Sequence, residues 1–179
     1  LAGIWLCLLL VRLPVQAANL AEPIQAQAYV LMEQESGTVL AEEQADVPLP
    51  MGMMAKLMTV LLAAEQLESG AWTLETVLTA SDVVNTCEGA TVWLTAGETM
   101  TVSDLLKAVI IGNANDAAAV LAEGVSGSVP AFVMEMNARA FDLGMRQTIF
   151  TNPQGYDDEK QCTTARDLAK LCRRLAEYE

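Results

Sequence analysis

The sequence predicts a β-hairpin followed by several helices, and two patterns carry that reading. Short apolar runs at 28–32 and 38–41 flank Glu33-Gln34-Glu35-Ser36-Gly37, as two strands joined by a glycine-containing loop would. Beyond residue 50 the apolar residues recur at helical rather than alternating spacing. With 179 residues, 53% hydrophobic and 18% charged, the chain is long enough for one globular domain with a substantial core.

Taken in order, Leu1 to Val11 is an apolar stretch that passes through Arg12 to Val15-Gln16-Ala17, small residues suited to signal cleavage. Residues 1–17 therefore read as a secretory signal peptide without its starting methionine and basic flank, the alternative being a buried N-terminal helix. Asp46-Val47-Pro48-Leu49-Pro50 is a loop, since two prolines so close cannot lie inside a helix. From Met53 to Glu68 the residues Leu57, Val60, Leu61, Ala64 and Leu67 fall at helical spacing, and Ser69-Gly70 supplies the stop.

Leu74 to Ala80 reads as a short strand or extended link, and Asn85 to Thr95 as a polar loop carrying Trp93. Thr101 and Asp104 have the Thr-x-x-Asp spacing of a helix start, and the apolar run through Ile111 follows. A polar cluster, Gly112-Asn113-Ala114-Asn115-Asp116, separates it from a further helical stretch at 117–123. Val129 to Leu143 is an amphipathic helix ended by Gly144, Thr151 to Gly155 a turn, and Thr163 or Thr164 the cap of a last helix.

Composition narrows the chemistry. The sequence has no histidine, which removes Ser-His-Asp and Cys-His mechanisms and the commonest zinc ligand sets; no metal or cofactor is expected, and any catalysis must use lysine or carboxylate bases. Cleavage after residue 17 would leave three cysteines, Cys87, Cys162 and Cys172, an odd number that argues against a disulfide framework. Against 23 acidic residues there are 10 basic ones, so nucleic acid is a poor partner.

The stretch Pro50-Met51-Gly52-Met53-Met54-Ala55-Lys56 places a lysine one turn into a helix, directly after a proline-marked loop. In an enzyme that acylates itself without histidine, a Ser-x-x-Lys turn sets a hydroxyl at the helix start and an amine on the same face to take its proton. Here Met53 stands where the hydroxyl would be. The stretch resembles the nucleophile helix of the serine D-alanyl-D-alanine carboxypeptidases, low-molecular-weight penicillin-binding proteins of the peptidase S11 type. Ser36-Gly37-Thr38-Val39-Leu40, Ala96-Gly97-Glu98, Asn115-Asp116-Ala117, Met136-Asn137-Ala138, Phe150-Thr151-Asn152-Pro153 and Thr164-Ala165-Arg166-Asp167 continue the resemblance in order.

The resemblance implies a penicillin-binding-protein/β-lactamase-like α/β domain, a helical cluster against an antiparallel sheet, and an extracytoplasmic place in bacterial peptidoglycan metabolism. Its chemistry is acyl transfer: a serine attacks the terminal D-Ala-D-Ala bond of a cell-wall stem peptide, D-alanine leaves, and water hydrolyses the acyl-enzyme. Carried across by position, the nucleophile falls on Met53, the proton acceptor on Lys56, the second-motif serine on Asn113, and its asparagine, a substrate-binding residue, on Asn115. Neither a thioether nor an amide can replace a hydroxyl in proton transfer. Thr59, one turn past Lys56, is the nearest other hydroxyl.

The family's third motif, Lys-Thr-Gly, does not occur in the sequence, so residues 18–179 are expected to be a partial catalytic domain lacking C-terminal strands, inactive as it stands and marginally stable. Stem peptides ending in D-Ala-D-Ala are the expected partner, with β-lactams held non-covalently. The alternative is a non-catalytic relative that binds the wall or a partner protein. Asp116 reads as a helix cap, Arg166 and Asp167 as structural, and Trp93 and Met54 as core packing.

Overall fold

The computed structural model describes residues 24–178; the expected signal segment, 1–17, lies outside them. The hairpin forms as expected, with β1 (Tyr29–Met32) antiparallel to β2 (Val39–Glu43) and a register shift between Leu31 and Met32. Its turn is closed by the Glu33 carboxylate, which accepts hydrogen bonds from the Ser36 hydroxyl and from the backbone N–H groups of Glu35 and Ser36. At the other end of the hairpin Arg166 holds Glu42 at 2.6 Å and Asp46 at 2.7 Å, the structural role expected of it.

Three elements differ from the sequence reading. Leu49–Pro50, expected as loop, is a two-residue strand β3 pairing with β6 (Cys162–Thr163), with Pro50 opposite Cys162. β4 (Val77–Thr79) pairs antiparallel with β5 (Thr99–Thr101), so the run before the Thr101 cap is itself a strand. Pairings this short across such sequence separations leave no alternating pattern to read. A 3₁₀ turn, Asp82–Thr86, capped by the Ser81 hydroxyl, also runs into the first two residues of the polar loop.

The helices follow their signals. α1 (Ala55–Glu68) leads directly out of a 3₁₀ turn at Gly52–Met54. α2 (Val102–Ile110) starts where the Thr101 hydroxyl accepts the Asp104 N–H at 3.1 Å. α3 (Asn115–Ser126) opens two residues before the expected start, because Asn115 and Asp116 form its first turn. α4 (Val129–Asp142) is capped by Ser128, and α5 (Ala165–Leu175) by Thr164.

The core lies on two sides of α1. On one, Met58, Leu61 and Leu62 pack with Phe132 and Met136 of α4 and Leu171 of α5. On the other, Val60 and Ala63 pack with Ala117, Ala118 and Leu121 of α3 and with Leu105 and Val109 of α2. The small residues of α3 let its backbone approach α1 closely, and each fully buried leucine or methionine contributes about 1.5–3 kcal/mol. α1 is thereby fixed from two directions, so what its first turn presents is held firmly.

Candidate functional site

The first turn of α1 is reached through a tight backbone. Gly52 has φ +50°, and Met53 follows it in the 3₁₀ turn with 63% of its surface exposed. Lys56, three residues on, is 6% exposed. Its Nζ donates a 2.6 Å hydrogen bond to the carbonyl of Gln154, and burial lowers its pKa from the ordinary 10.5 to about 8. Losing water around an ammonium disfavours the charged form, so much of this lysine is uncharged in mildly alkaline solution. Thr59 is fully buried and donates to the Pro153 carbonyl at 3.0 Å, which turns its hydroxyl away from solvent.

The acceptor for Lys56 comes from a turn built for close approach. Asn152 Oδ1 accepts from the N–H groups of Gly155 at 2.7 Å and Tyr156 at 2.8 Å, and Gln161 Oε1 accepts from Thr151 and Asn152. Gly155 has φ +87°, and a Cβ there would stand 2.2 Å from the Gly52 carbonyl oxygen. The two glycines lie back to back and bring the Gln154 carbonyl onto Lys56. Sequence alone marked 151–155 as a turn; nothing in it could say that the turn faces α1.

The break between α2 and α3 supplies the second side. Asn113 sits there with φ +53°, a left-handed conformation that asparagine adopts more readily than most residues. Asn115 is 8% exposed; its Nδ2 donates to the Glu88 carbonyl at 2.6 Å, while its buried Oδ1 has no protein partner among the described residues. The Tyr156 hydroxyl bridges to the same loop, accepting from Glu88 N–H at 2.9 Å and donating to Glu88 O at 3.1 Å. Cys87, beside Asn115, has its thiol pushed up by burial.

Asp116, 1% exposed, accepts from the backbone N–H groups of Val92 and Leu94 as well as from Ala117. It is not the cap of α3, whose N-cap is Ala114 without a side-chain bond; from within the first turn it holds the Ala117 N–H and pins the chain on both sides of Trp93. Trp93 is not core packing: it is 84% exposed, at φ +58°, because both neighbouring N–H groups are turned inward to Asp116. Met54 is 38% exposed and likewise outside the core. Asp167 is structural as expected, accepting from Gln147 N–H and Thr148 Oγ1.

Met53, Lys56 and Asn113 line one cavity of about 680 Å³, an apolar groove that runs along α1 between α2 and the end of α5. Asn115 does not line it; it lies two residues past Asn113, in the first turn of α3. Three of the four positions singled out in the sequence thus meet at one place, and the fourth adjoins them.

Residues 15–179 match the family model described as D-alanyl-D-alanine carboxypeptidase, Peptidase_S11. Among curated proteins the chain is 36% identical over 155 residues to the D-alanyl-D-alanine carboxypeptidase DacF of Bacillus subtilis, covering 87% of this chain and 40% of that one. It is 37% identical over 161 residues to DacC of Escherichia coli, again covering 87% and 40%. The crystal structure of penicillin binding protein 5 from Haemophilus influenzae superposes with a TM-score of 0.84 at 31% identity, over 89% of this chain and 47% of that one. The chain spans about 40% of the length of the curated relatives it matches.

Proposed function

The chain belongs to the D-alanyl-D-alanine carboxypeptidase family, and from that premise we propose that it serves peptidoglycan metabolism outside the cytoplasm, recognising stem peptides that end in D-Ala-D-Ala. The observation that supports this most is the shared cavity of Met53, Lys56 and Asn113, onto which the resemblance carries the family's nucleophile, proton acceptor and second-motif serine. A pKa of about 8 gives Lys56 an uncharged fraction near neutral pH, the form in which it can act as a general base. Asn115, with an unpartnered buried carbonyl oxygen, offers an acceptor beside it.

With Met53 at the nucleophile position, recognition proceeds without an acyl-enzyme. A thioether carries no proton for Lys56 to remove and forms no ester, and loss of a serine nucleophile in hydrolases costs on the order of 10^6 in turnover. The test has two arms. Incubation with a fluorescent penicillin followed by denaturation should leave the protein unlabelled, and a labelled band mapping to residue 53 or 59 would overturn the non-covalent reading. Titration calorimetry should detect a pentapeptide ending in D-Ala-D-Ala and fail to detect its L-Ala-L-Ala counterpart; equal response to both would overturn the substrate assignment.

A further inference from the structure

The hydrogen-bonding and ionic surroundings of Lys56 separate it from the other three lysines of the chain. Lys107 and Lys170 are paired with Asp104 and Asp167, and Lys160 is exposed. Among the described residues Lys56 has no carboxylate within ion-pair distance and a single hydrogen bond, to the Gln154 carbonyl. It sits at one end of the apolar groove, whose walls include Leu57, Val60, Leu106 and Ile110. The groove follows α1 for most of its 14 residues, about 20 Å at the helical rise. An amine without a counter-charge, placed at the head of an apolar channel, is the environment in which lysines become nucleophiles toward carbonyl groups.

We propose that Lys56 is a covalent site for aldehydes and ketones bearing an apolar arm, which lies in the groove while the carbonyl carbon meets Nζ. The uncharged amine forms the N–C bond, the π pair of the carbonyl moves to oxygen, and the proton released from nitrogen goes to that oxygen. The resulting carbinolamine takes one proton from hydronium or a buffer acid, which leaves its conjugate base, and loses its hydroxyl as water, leaving a protonated imine. No oxidant or reductant takes part. The iminium retains one N–H, and the Gln154 carbonyl that now accepts from Lys56 is in place to accept it, stabilising the new positive charge. Asn113, on the same cavity wall, carries an amide that can donate to the carbonyl oxygen during addition. The lowered basicity of Lys56 supports the step, because it keeps part of the amine uncharged near neutral pH. The inference uses the same cavity as stem-peptide recognition but needs neither Asn115 nor a D-Ala-D-Ala terminus, so either can fail without the other.

The test is competitive reductive trapping. The protein is incubated at pH 7.5 with octanal and sodium cyanoborohydride, and the octyl adduct on each lysine is followed by peptide mass spectrometry, with Lys107, Lys160 and Lys170 as internal references. Lys56 should be modified about tenfold faster than any of the three, as expected of an amine with lowered basicity. That preference should fall away with glycolaldehyde, which has no apolar arm. Ile110→Glu, at a position 64% exposed on the groove wall, should lower the octanal rate at Lys56 about tenfold and leave the glycolaldehyde rate unchanged. Modification of Lys56 no faster than the surface lysines would overturn the site. An octanal preference that survives Ile110→Glu would overturn the groove as the seat of the apolar arm.

Discussion

Lys56 couples its protonation to the stability of the fold. Its folded pKa, about 8, lies below the ordinary 10.5 because burial opposes the charge. Well below pH 8 the lysine is charged in both folded and unfolded chains, and the folded state carries the whole desolvation cost. Between 8 and 10.5 the unfolded chain binds more protons, so stability rises with pH, and above 10.5 the cost is gone. Lys56→Met keeps the length and apolar stem of the side chain without the charge. The variant should be more stable than the parent at pH 7, with the difference shrinking toward zero by about pH 10.5. Urea unfolding at pH 7, 8.5 and 10 reads this directly, and a difference independent of pH would mean that Lys56 titrates normally. Taking the variant against the parent cancels the titration of every group the two chains share.

At the scale of elements, the site depends on two turns that meet through glycine. In Gly155→Ala the new methyl would collide with the Gly52 carbonyl and the backbone would have to leave φ +87°, so the turn must withdraw from α1 and take the Gln154 carbonyl with it. A loss of about 2–4 kcal/mol is expected, in keeping with strain at a special backbone position; a variant as stable as the parent would mean that the two turns are not in obligatory contact. This approach is also what the sequence could not disclose. The hairpin, α1, the Thr101 cap and α5 were legible because periodicity and capping are local signals. The β3–β6 pairing and the Lys56–Gln154 bond join residues about 100 positions apart, and neither leaves a trace in a window of ten. An isolated tryptophan such as Trp93 reads as packing, whereas the buried Asp116, 23 residues later, turns the backbone on both sides of it inward. Met53 and Asn113, onto which the resemblance carries the nucleophile and the second-motif serine, could be singled out because both stand in an otherwise matching frame. Restoring them tests the site as a unit: Met53→Ser alone should release no D-alanine from a pentapeptide, because oxyanion stabilisation, about 3–4 kcal/mol per donor in hydrolases, is shared with a Lys-Thr-Gly strand in the family. Met53→Ser with Asn113→Ser, in a chain carrying such a strand, should release it, and D-alanine release by the single variant would show that α1 and the α2–α3 break suffice.

Across the whole molecule, the described residues fall into parts of unequal support. The five helices interlock, since α1 and α3 contribute to both core clusters and Leu61 and Leu121 are fully buried between their neighbours. The β1–β2 hairpin is tied on less widely. It packs against α5 and is pinned by Arg166 and by Arg173, whose guanidinium donates to the carbonyls of Gln34 and Glu35. Among the described residues each sheet has two strands, so β1 and β2 each leave one edge unpaired, with Leu31 49% and Leu40 37% exposed. A unit held by two arginines and one helix face opens at lower free energy than a core shared by five helices. Thermal unfolding of residues 18–179 should therefore be broad, with the hairpin leaving first, and the sample should associate as concentration rises, through the free strand edges and the apolar groove along α1. Amide exchange should find β1 and β2 exchanging well ahead of α1 and α3, and sedimentation should show mass increasing with concentration. Raising ionic strength should widen the gap in exchange rates, because Arg166 and its two carboxylates are partly solvent-accessible and screened by salt. A sharp transition independent of concentration, with hairpin and helices exchanging together, would mean that the arginine contacts couple the hairpin to the core as firmly as packing couples the helices.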